Sequence, residues 1–459
     1  MIAPRNSPPS PHPNEEGRTA VSGKSNQSQL ARLLKFWVSD RMLLWGEAGF
    51  IAGYYVMWNV ELQLMWQIAL CLPAGIWLWR KTRGNGMSCE TTMRLAAAFL
   101  TWNIAVGLIR NSDAFSDYYT FEFLAGALLL PVYLGTLWLV CRTTGGSHCL
   151  LQTLVWTAFI AAVAGIGWWA FVLHPNDPGA RLRNPLVHGG LHPVATAITL
   201  GFGGLTAAAM YVRQEKKAIR WKLLGVVAMT CLAVMLTFSR GGILAMAFGY
   251  GALLLAAGWR KSWPPVVTAT TVAVVFQFFS SALTSAGSVS PRVANGTREQ
   301  PANLPVQINE YFARGDSGRL YVYRVGLASL DRWDKIITGA GLWGPERNLK
   351  TLTNGVIDHL HSLFVATAVH GGIAGTAMLL TLIGLGARRA WTLSRAGQPQ
   401  WFALLFYGIG GLLFDGQSAC SLVTHPRFEN LILWFPLVAI AAAWKEDQEG
   451  RQPSKSESR

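Results

Sequence analysis

Four short stretches of this 459-residue chain hold polar, chemistry-capable side chains inside otherwise apolar surroundings. LTFSRGGIL carries Ser239 and Arg240, and DSGRLYVYR carries Arg319 and Tyr323. ARLRNPLVHGGLHP carries Arg181, Arg183, His188 and His192, and HLHSLFVATAVHGGIAG carries His359, His361 and His370. A guanidinium is a planar fork that matches phosphate oxygens through paired, charge-assisted hydrogen bonds, so several arginines together point to a phosphorylated anion. An imidazole titrating near neutrality is the usual group for taking a proton from a hydroxyl. Other chemistries lack their signatures: there is no GxxxxGK[ST] loop, no HExxH, no CxxC pair, and no DxD spacing among Asp316, Asp331 and Asp334. His359 and His361 alone would supply only two ligands to a metal. Chemistry without metal or cofactor is expected.

The elements that position these residues depend on the solvent around them. Hydrophobic residues make up 51% of the chain and charged residues 14%, with 20 tryptophans, a balance few water-soluble proteins share. Runs near the ~17–25 apolar residues needed to cross a bilayer core occur at 43–59, 64–80, 92–109, 121–141, 149–173, 193–212, 222–239, 242–258, 264–280, 360–387, 401–419 and 429–444. The expected fold class is all-α, a polytopic integral membrane protein with about 12 transmembrane helices. Nine fall in 31–280 and three in 360–444, flanking a large loop at 281–359 that is long enough to hold helices of its own. The first run carries Glu47, and the 360–387 run contains His370, Gly371 and Gly372, which makes it a candidate for a broken helix.

Lysine and arginine concentrate in alternating short loops, WRKTRG, VCRTT, RQEKKAIRWK, GWRKSW and ARRAWTLSR, and near both ends of the chain. By the positive-inside rule these loops and both termini are cytoplasmic. The net charge of +15 then reflects topology, and no nucleic-acid partner is expected. Residues 1–30, rich in Pro, Ser and Asn, read as a disordered tail without a cleavable signal, and 445–459 as a second cytoplasmic tail. The cysteines show no paired spacing and are expected only to pack.

All four polar stretches fall on the opposite, outer side. Arg240 stands where one span ends and the next begins, a depth at which a charge usually faces a cavity or a partner. The alternatives are a snorkelling Arg240, exposed loop arginines at 181, 183 and 319, and a helix-start His361 with a structural hydrogen bond. In the large loop, Leu320, Tyr323, Leu327 and Leu330 form a helical stripe with Ser317 as N-cap, fitting an amphipathic helix at the outer interface. Arginines at headgroup depth suit a lipid-linked diphosphate whose tail stays in the bilayer.

His361-Ser362, nine residues, Gly372, two residues and Gly375 match the pattern H[NSQ]-x9-G-x-x-[GTY] of bacterial O-antigen ligases. Arg240 to Leu244 fits the R-x3-L motif of that family, and Arg319 in SGR is similar to a further arginine of its large periplasmic loop. The chain resembles this family over roughly residues 190–380 by motif and throughout by topology. The histidine pattern is the specific part; R-x3-L alone is weak. Many members of the wider ligase and polymerase superfamily have Asn after the histidine, where this chain has Ser362, which the ligase pattern permits.

The resemblance implies a glycosyltransferase of the bacterial inner membrane that joins O-antigen polysaccharide, carried on undecaprenyl diphosphate, to lipid A-core at the periplasmic face. Its partners are these two substrates and membrane lipid. Arg240 and Arg319 are assigned to the diphosphate and His361 to the acceptor hydroxyl as general base or orienting group. Arg181, Arg183, His188, His192, Ser239 and Tyr323 are assigned to substrate binding. His359, two residues along a helix from His361, is expected to point elsewhere. His425 and Arg427 form a second tier, and His370 is a packed or gating residue. Direct displacement without a covalent intermediate would invert the anomeric centre. An O-antigen polymerase or protein O-oligosaccharyltransferase shares the scaffold and donor. A flippase or transporter would string polar residues through the mid-membrane rather than gather them at one mouth.

Overall fold

The computed structural model describes residues 36–57, 60–83, 90–110, 118–177, 180–187, 192–286, 319–342, 349–352, 359–415, 422–423 and 428–451. The architecture is all-helical. In chain order the helices are α1 (Asp40–Val56) and α2, which runs from Val60–Trp66 through a π turn at Gln67–Cys71 to Leu72–Arg83. Then come α3 (Thr91–Arg110), α4 (Tyr118–Arg142) and α5 (Gly146–Trp168), the last extended by a π turn at Trp169–Leu173. They are followed by α6 (Pro193–Arg213), α7 (Lys217–Leu236), α8 (Arg240–Ala257) and α9 (Trp259–Ala286). Two helices of the large loop, α10 (Arg319–Ala328) and α11 (Trp333–Thr338), precede α12 (Leu363–Arg395) and α13 (Gln400–Asp415). A π turn at Asn430–Trp434 leads into α14 (Phe435–Arg451).

Among the described residues a helix overlaps each predicted span. Among the described residues seven helices, α2, α3, α5, α6, α7, α8 and α12, are long and apolar enough to cross a membrane. Gly126–Arg142 and Gln400–Phe414 are shorter apolar stretches. Outward faces carry apolar bulk that water would not tolerate: Leu255 and Phe278 are 72% and 73% exposed. Lipid as the surrounding solvent accounts for such faces, and the chain is a polytopic membrane protein.

The bundle is organised around α6, whose apolar window is 83% buried against 50% or less in the other six long helices. A Cβ at Gly201, Gly203 or Gly204 would run into Tyr407, Ala158 and Thr230 respectively, so the absence of side chains lets α13, α5 and α7 close on it. The Tyr55 and Tyr407 hydroxyls donate to the Thr199 and Ile198 carbonyls of α6 at 2.9 and 2.7 Å, tying α1 and α13 to the same helix. Glu47 lies in the bundle interior, fully buried, and accepts a hydrogen bond from the Thr136 hydroxyl of α4. A carboxyl at this depth is tolerated only with such a partner and away from lipid.

The two ends of the bundle differ. Basic residues close α2 (Arg80, Lys81, Arg83), α4 (Arg142), α6 (Arg213) and α12 (Arg395). At that end Arg389 pairs with Glu90, joining α12 to the start of α3. At the other end lie the last residues of α1 and α7 and the first of α6, α8 and α12, linked by the contacts described next.

Candidate active site

The α7–α8 reversal occupies three residues, Thr237, Phe238 and Ser239. Phe238 holds φ +51°, a left-handed conformation uncommon for a residue with a Cβ. The Thr237 hydroxyl donates to the Val234 carbonyl at 2.6 Å and accepts from the Ser239 amide at 3.2 Å. Ser239 is buried and caps α8, its hydroxyl accepting from the Gly242 amide at 3.2 Å. Arg240 follows as the first helical residue, exposed. Gly242 is required by the close approach of α6: a Cβ there would sit 2.5 Å from the Ala197 Cβ.

A strap at 180–187 holds this turn in place. Arg181 donates from Nε to the Thr237 carbonyl at 2.6 Å and from a terminal nitrogen to the Phe238 carbonyl at 3.4 Å, placing a cation on the C-terminal carbonyls of α7. The Leu182 amide donates to the Leu236 carbonyl at 3.0 Å, and Leu182 is fully buried. Asn184 is the residue that sequence reasoning missed. It is buried, its side chain donates to the Tyr55 carbonyl at 2.8 Å and accepts from the Leu186 amide at 3.1 Å, and its backbone amide donates to the Thr196 hydroxyl oxygen at 3.2 Å. An Asn before a proline reads as ordinary turn chemistry, and only its complete burial shows it to be a keystone.

His192 caps α6, its Nδ1 accepting from the Val194 amide at 3.4 Å. Burial, reinforced by the nearby charges of Arg181, Arg183 and His359, holds its imidazole below the usual histidine range. These neighbours bring the strap, the start of α6 and the approach to α12 into one electrostatic cluster. His188, like His425 and Arg427, lies outside the described residues.

His359 and His361 stand differently from the expectation. The segment 359–362 precedes α12 and is not helical. His361 adopts φ +53°, and the two imidazoles meet with ring centroids 4.0 Å apart at 55°. His359 therefore does not point elsewhere, because the helical spacing that would separate the two rings does not apply before the helix begins. Ser362 is the N-cap, accepting from the Val365 amide at 3.5 Å.

The motif glycines have a structural reason. At Gly372 the backbone leaves the helix with φ +65° and ψ −163°, a region essentially restricted to glycine, so the expected break in this span is present. The large loop fills the break: the Ala340 and Gly341 amides donate to the Val369 and His370 carbonyls at 2.8 and 3.2 Å. The Trp102 indole donates to the Gly371 carbonyl at 2.9 Å. Irregular backbone at membrane depth is thus paired with protein, as it must be. A Cβ at Gly375 would meet the same indole at 3.4 Å, an ordinary van der Waals contact. Residues 224–380 match the family model described as O-Antigen ligase. This match supports membership of the O-antigen ligase superfamily. No curated protein matches it.

The matched span contains Arg240, Arg319, His361, Gly372 and Gly375, while the strap and His192 precede it. Within the span, α11 is anchored by Arg110 of α3, which donates to Asp334 at 2.7 Å and to the Thr338 hydroxyl at 3.0 Å. Arg319 lies on α10, and both Arg319 and Tyr323 are half-buried. The face of α10 that packs is Val322, Val325 and Gly326, against Leu360 and Val369. Leu320 and Leu327, from the stripe read in the sequence, are exposed at 64% and 48%. Arg319 thereby sits on a helix seated against the approach to His361.

Proposed function

We propose that this protein transfers O-antigen polysaccharide from undecaprenyl diphosphate to lipid A-core, with about 12 helices crossing the bacterial inner membrane and the arginine–histidine end facing the periplasm. The observation that carries this reading is the grouping, at the end of the bundle away from the basic helix ends, of Arg181 on the turn that leads into Arg240, of His192 near Arg181 and His359, and of His359 against His361. Family membership supports a polyprenyl-linked glycan as donor, and the charge asymmetry supports the orientation.

One turn below Arg240, a cavity of about 360 Å³ opens between α8 and α9, lined by Ile243, Ala247, Tyr250, Ala269, Ala273 and Gln277. A prenyl chain entering this groove leaves its diphosphate at the α8 N-terminus, beside the Arg240 guanidinium. An oxygen of the acceptor sugar attacks the anomeric carbon from the face opposite the diphosphate. The C–O bond to the phosphate breaks, its electron pair leaves with undecaprenyl diphosphate, and the acceptor proton passes to His361. Arg240 and Arg319 stabilise the negative charge growing on the leaving diphosphate, the effect on which this reaction depends most. One displacement inverts the anomeric centre.

Reconstitution with lipid-linked glycan and lipid A-core tests this. Removal of the base in His361→Ala lowers turnover about 10²–10⁴-fold, and Arg240→Ala about 10²–10³-fold. Folded variants that conjugate at wild-type rates overturn the mechanism. A wild-type protein that only lengthens the lipid-linked polymer is a polymerase.

A further inference from the structure

A second cavity, of about 440 Å³, lies at the basic end of the bundle, between the last turns of α2 and the middle of α4. Its walls are apolar, built by Ile76 and Trp79 of α2, Met93 of α3, and Pro131, Gly135 and Leu139 of α4. Gly135 faces this space: a Cβ built there meets nothing within 4 Å.

The mouth is charged. Arg83 lines it, with its guanidinium 5.2 Å from the centroid of the Trp79 ring. Trp138 also lines the cavity, and the Arg142 guanidinium sits 5.1 Å from its ring centroid. Two tryptophans of the wall thus each hold a cation at the helix ends, with Thr82 beside them. Basic helix ends alone would mark only topology. Here they crown an apolar cavity whose tryptophans fix the guanidiniums by cation–π contact.

We propose that this cavity binds one phospholipid with an anionic headgroup, its acyl chain inserted between α2 and α4 and its phosphate held by Arg83 and Arg142. A zwitterionic lipid offers the same chain without the net charge that two guanidiniums select. The site lies at the end of the bundle away from Arg240 and His361 and does not depend on the reaction assigned to them.

Native mass spectrometry of the full chain, released from vesicles of phosphatidylglycerol and phosphatidylcholine in equal amounts, tests the proposal. Wild type is expected to retain one phosphatidylglycerol in preference to phosphatidylcholine, by about 5-fold for each basic residue engaged. Gly135→Leu, whose Cβ meets nothing within 4 Å, places a side chain in the cavity and is expected to remove the retained lipid. Gly384→Leu, at another helix glycine whose Cβ would meet nothing within 4 Å, leaves it in place. Arg83→Gln combined with Arg142→Gln keeps a lipid in the cavity but abolishes the preference, and this arm decides the matter should Gly135→Leu fail to fold. Retention unchanged in a folded Gly135→Leu, or a preference unchanged in the double glutamine variant, overturns the proposal.

Discussion

Substituting Gly372 by alanine attacks the junction between the large loop and α12 at one carbon atom. Its φ of +65° with ψ of −163° is a conformation that residues with a Cβ reach only at a cost of about 1–3 kcal/mol. The added methyl would also overlap the backbone of Ile337 and Gly339, so α11 must lift away. Lifting it breaks two hydrogen bonds, Ala340 to Val369 and Gly341 to His370, each worth about 1 kcal/mol net. The sum is about 3–5 kcal/mol if strain and both bonds are lost together, and the cost falls locally because α12 is held elsewhere by α3 and α13. Gly384→Ala is the control on the same helix: nothing approaches its Cβ, and replacing a helical glycine gains up to about 1 kcal/mol. The assay is amide hydrogen exchange on the purified protein, with thermal midpoint and transfer rate alongside. Gly372→Ala is expected to expose the amides of 333–341, lower the midpoint and slow transfer, while Gly384→Ala changes none of these adversely. Protection of Ala340 and Gly341 identical to wild type in Gly372→Ala refutes the account of the motif glycine.

Arg181→Met keeps the stem but removes the cation from the α7 carbonyls, and should cost about 1–3 kcal/mol with loss of protection at Leu182; full protection there means the strap is held without it. Burial first, and then the charges of Arg181, Arg183 and His359, lower the His192 pKa, so the unfolded chain binds a proton more readily than the folded one. Its contribution to stability is complete above the unfolded value of 6.5 and is lost as pH falls toward the lower folded value. A thermal midpoint followed between about pH 5 and pH 8 should therefore decline on the acid side less steeply in His192→Gln than in wild type, and parallel curves would contradict this. Asp334, held below the usual carboxylate range by Arg332 and Arg110, loses both partners' attraction in Asp334→Asn. The amides of Trp333–Thr338 should then exchange faster, and unchanged exchange would show that α11 is seated by the α12 break alone.

The helices were legible because crossing a bilayer demands long apolar runs, and no competing signal produces so many of them. The break in α12 was legible for the same reason in reverse, since Gly371 and Gly372 interrupt a run longer than one crossing needs. Packing of the large loop was not. The stripe of Leu320 and Leu327 is the more hydrophobic face by residue type, but Val322, Val325 and Gly326 are the ones that fit Leu360 and Val369, where a small residue admits a close approach. The pairing of His359 with His361 was hidden because helical spacing was carried two residues too far upstream. Asn184 and Trp102 gave no signal: the hydrogen bonds that make them structural reach carbonyls 129 and 269 positions away in the chain.

The position of Arg240 argues most directly for an anionic ligand. Arg240 is the first residue of a helix, α8, the end at which the backbone dipole is positive and a cation is least favoured. Natural sequences tolerate such a local conflict mainly at functional sites. Without donor, Arg240→Gln is therefore expected to leave the thermal midpoint unchanged or raise it, by the equivalent of about 0.3–1 kcal/mol. The same variant should lose most of the stabilisation that saturating lipid-linked diphosphate confers on wild type, because an anion bound at that helix start has lost the fork that grips it. A substitution that instead destabilises the donor-free protein by more than about 1 kcal/mol, while donor still raises its midpoint as in wild type, would place Arg240 in the architecture of the turn rather than in the binding of substrate.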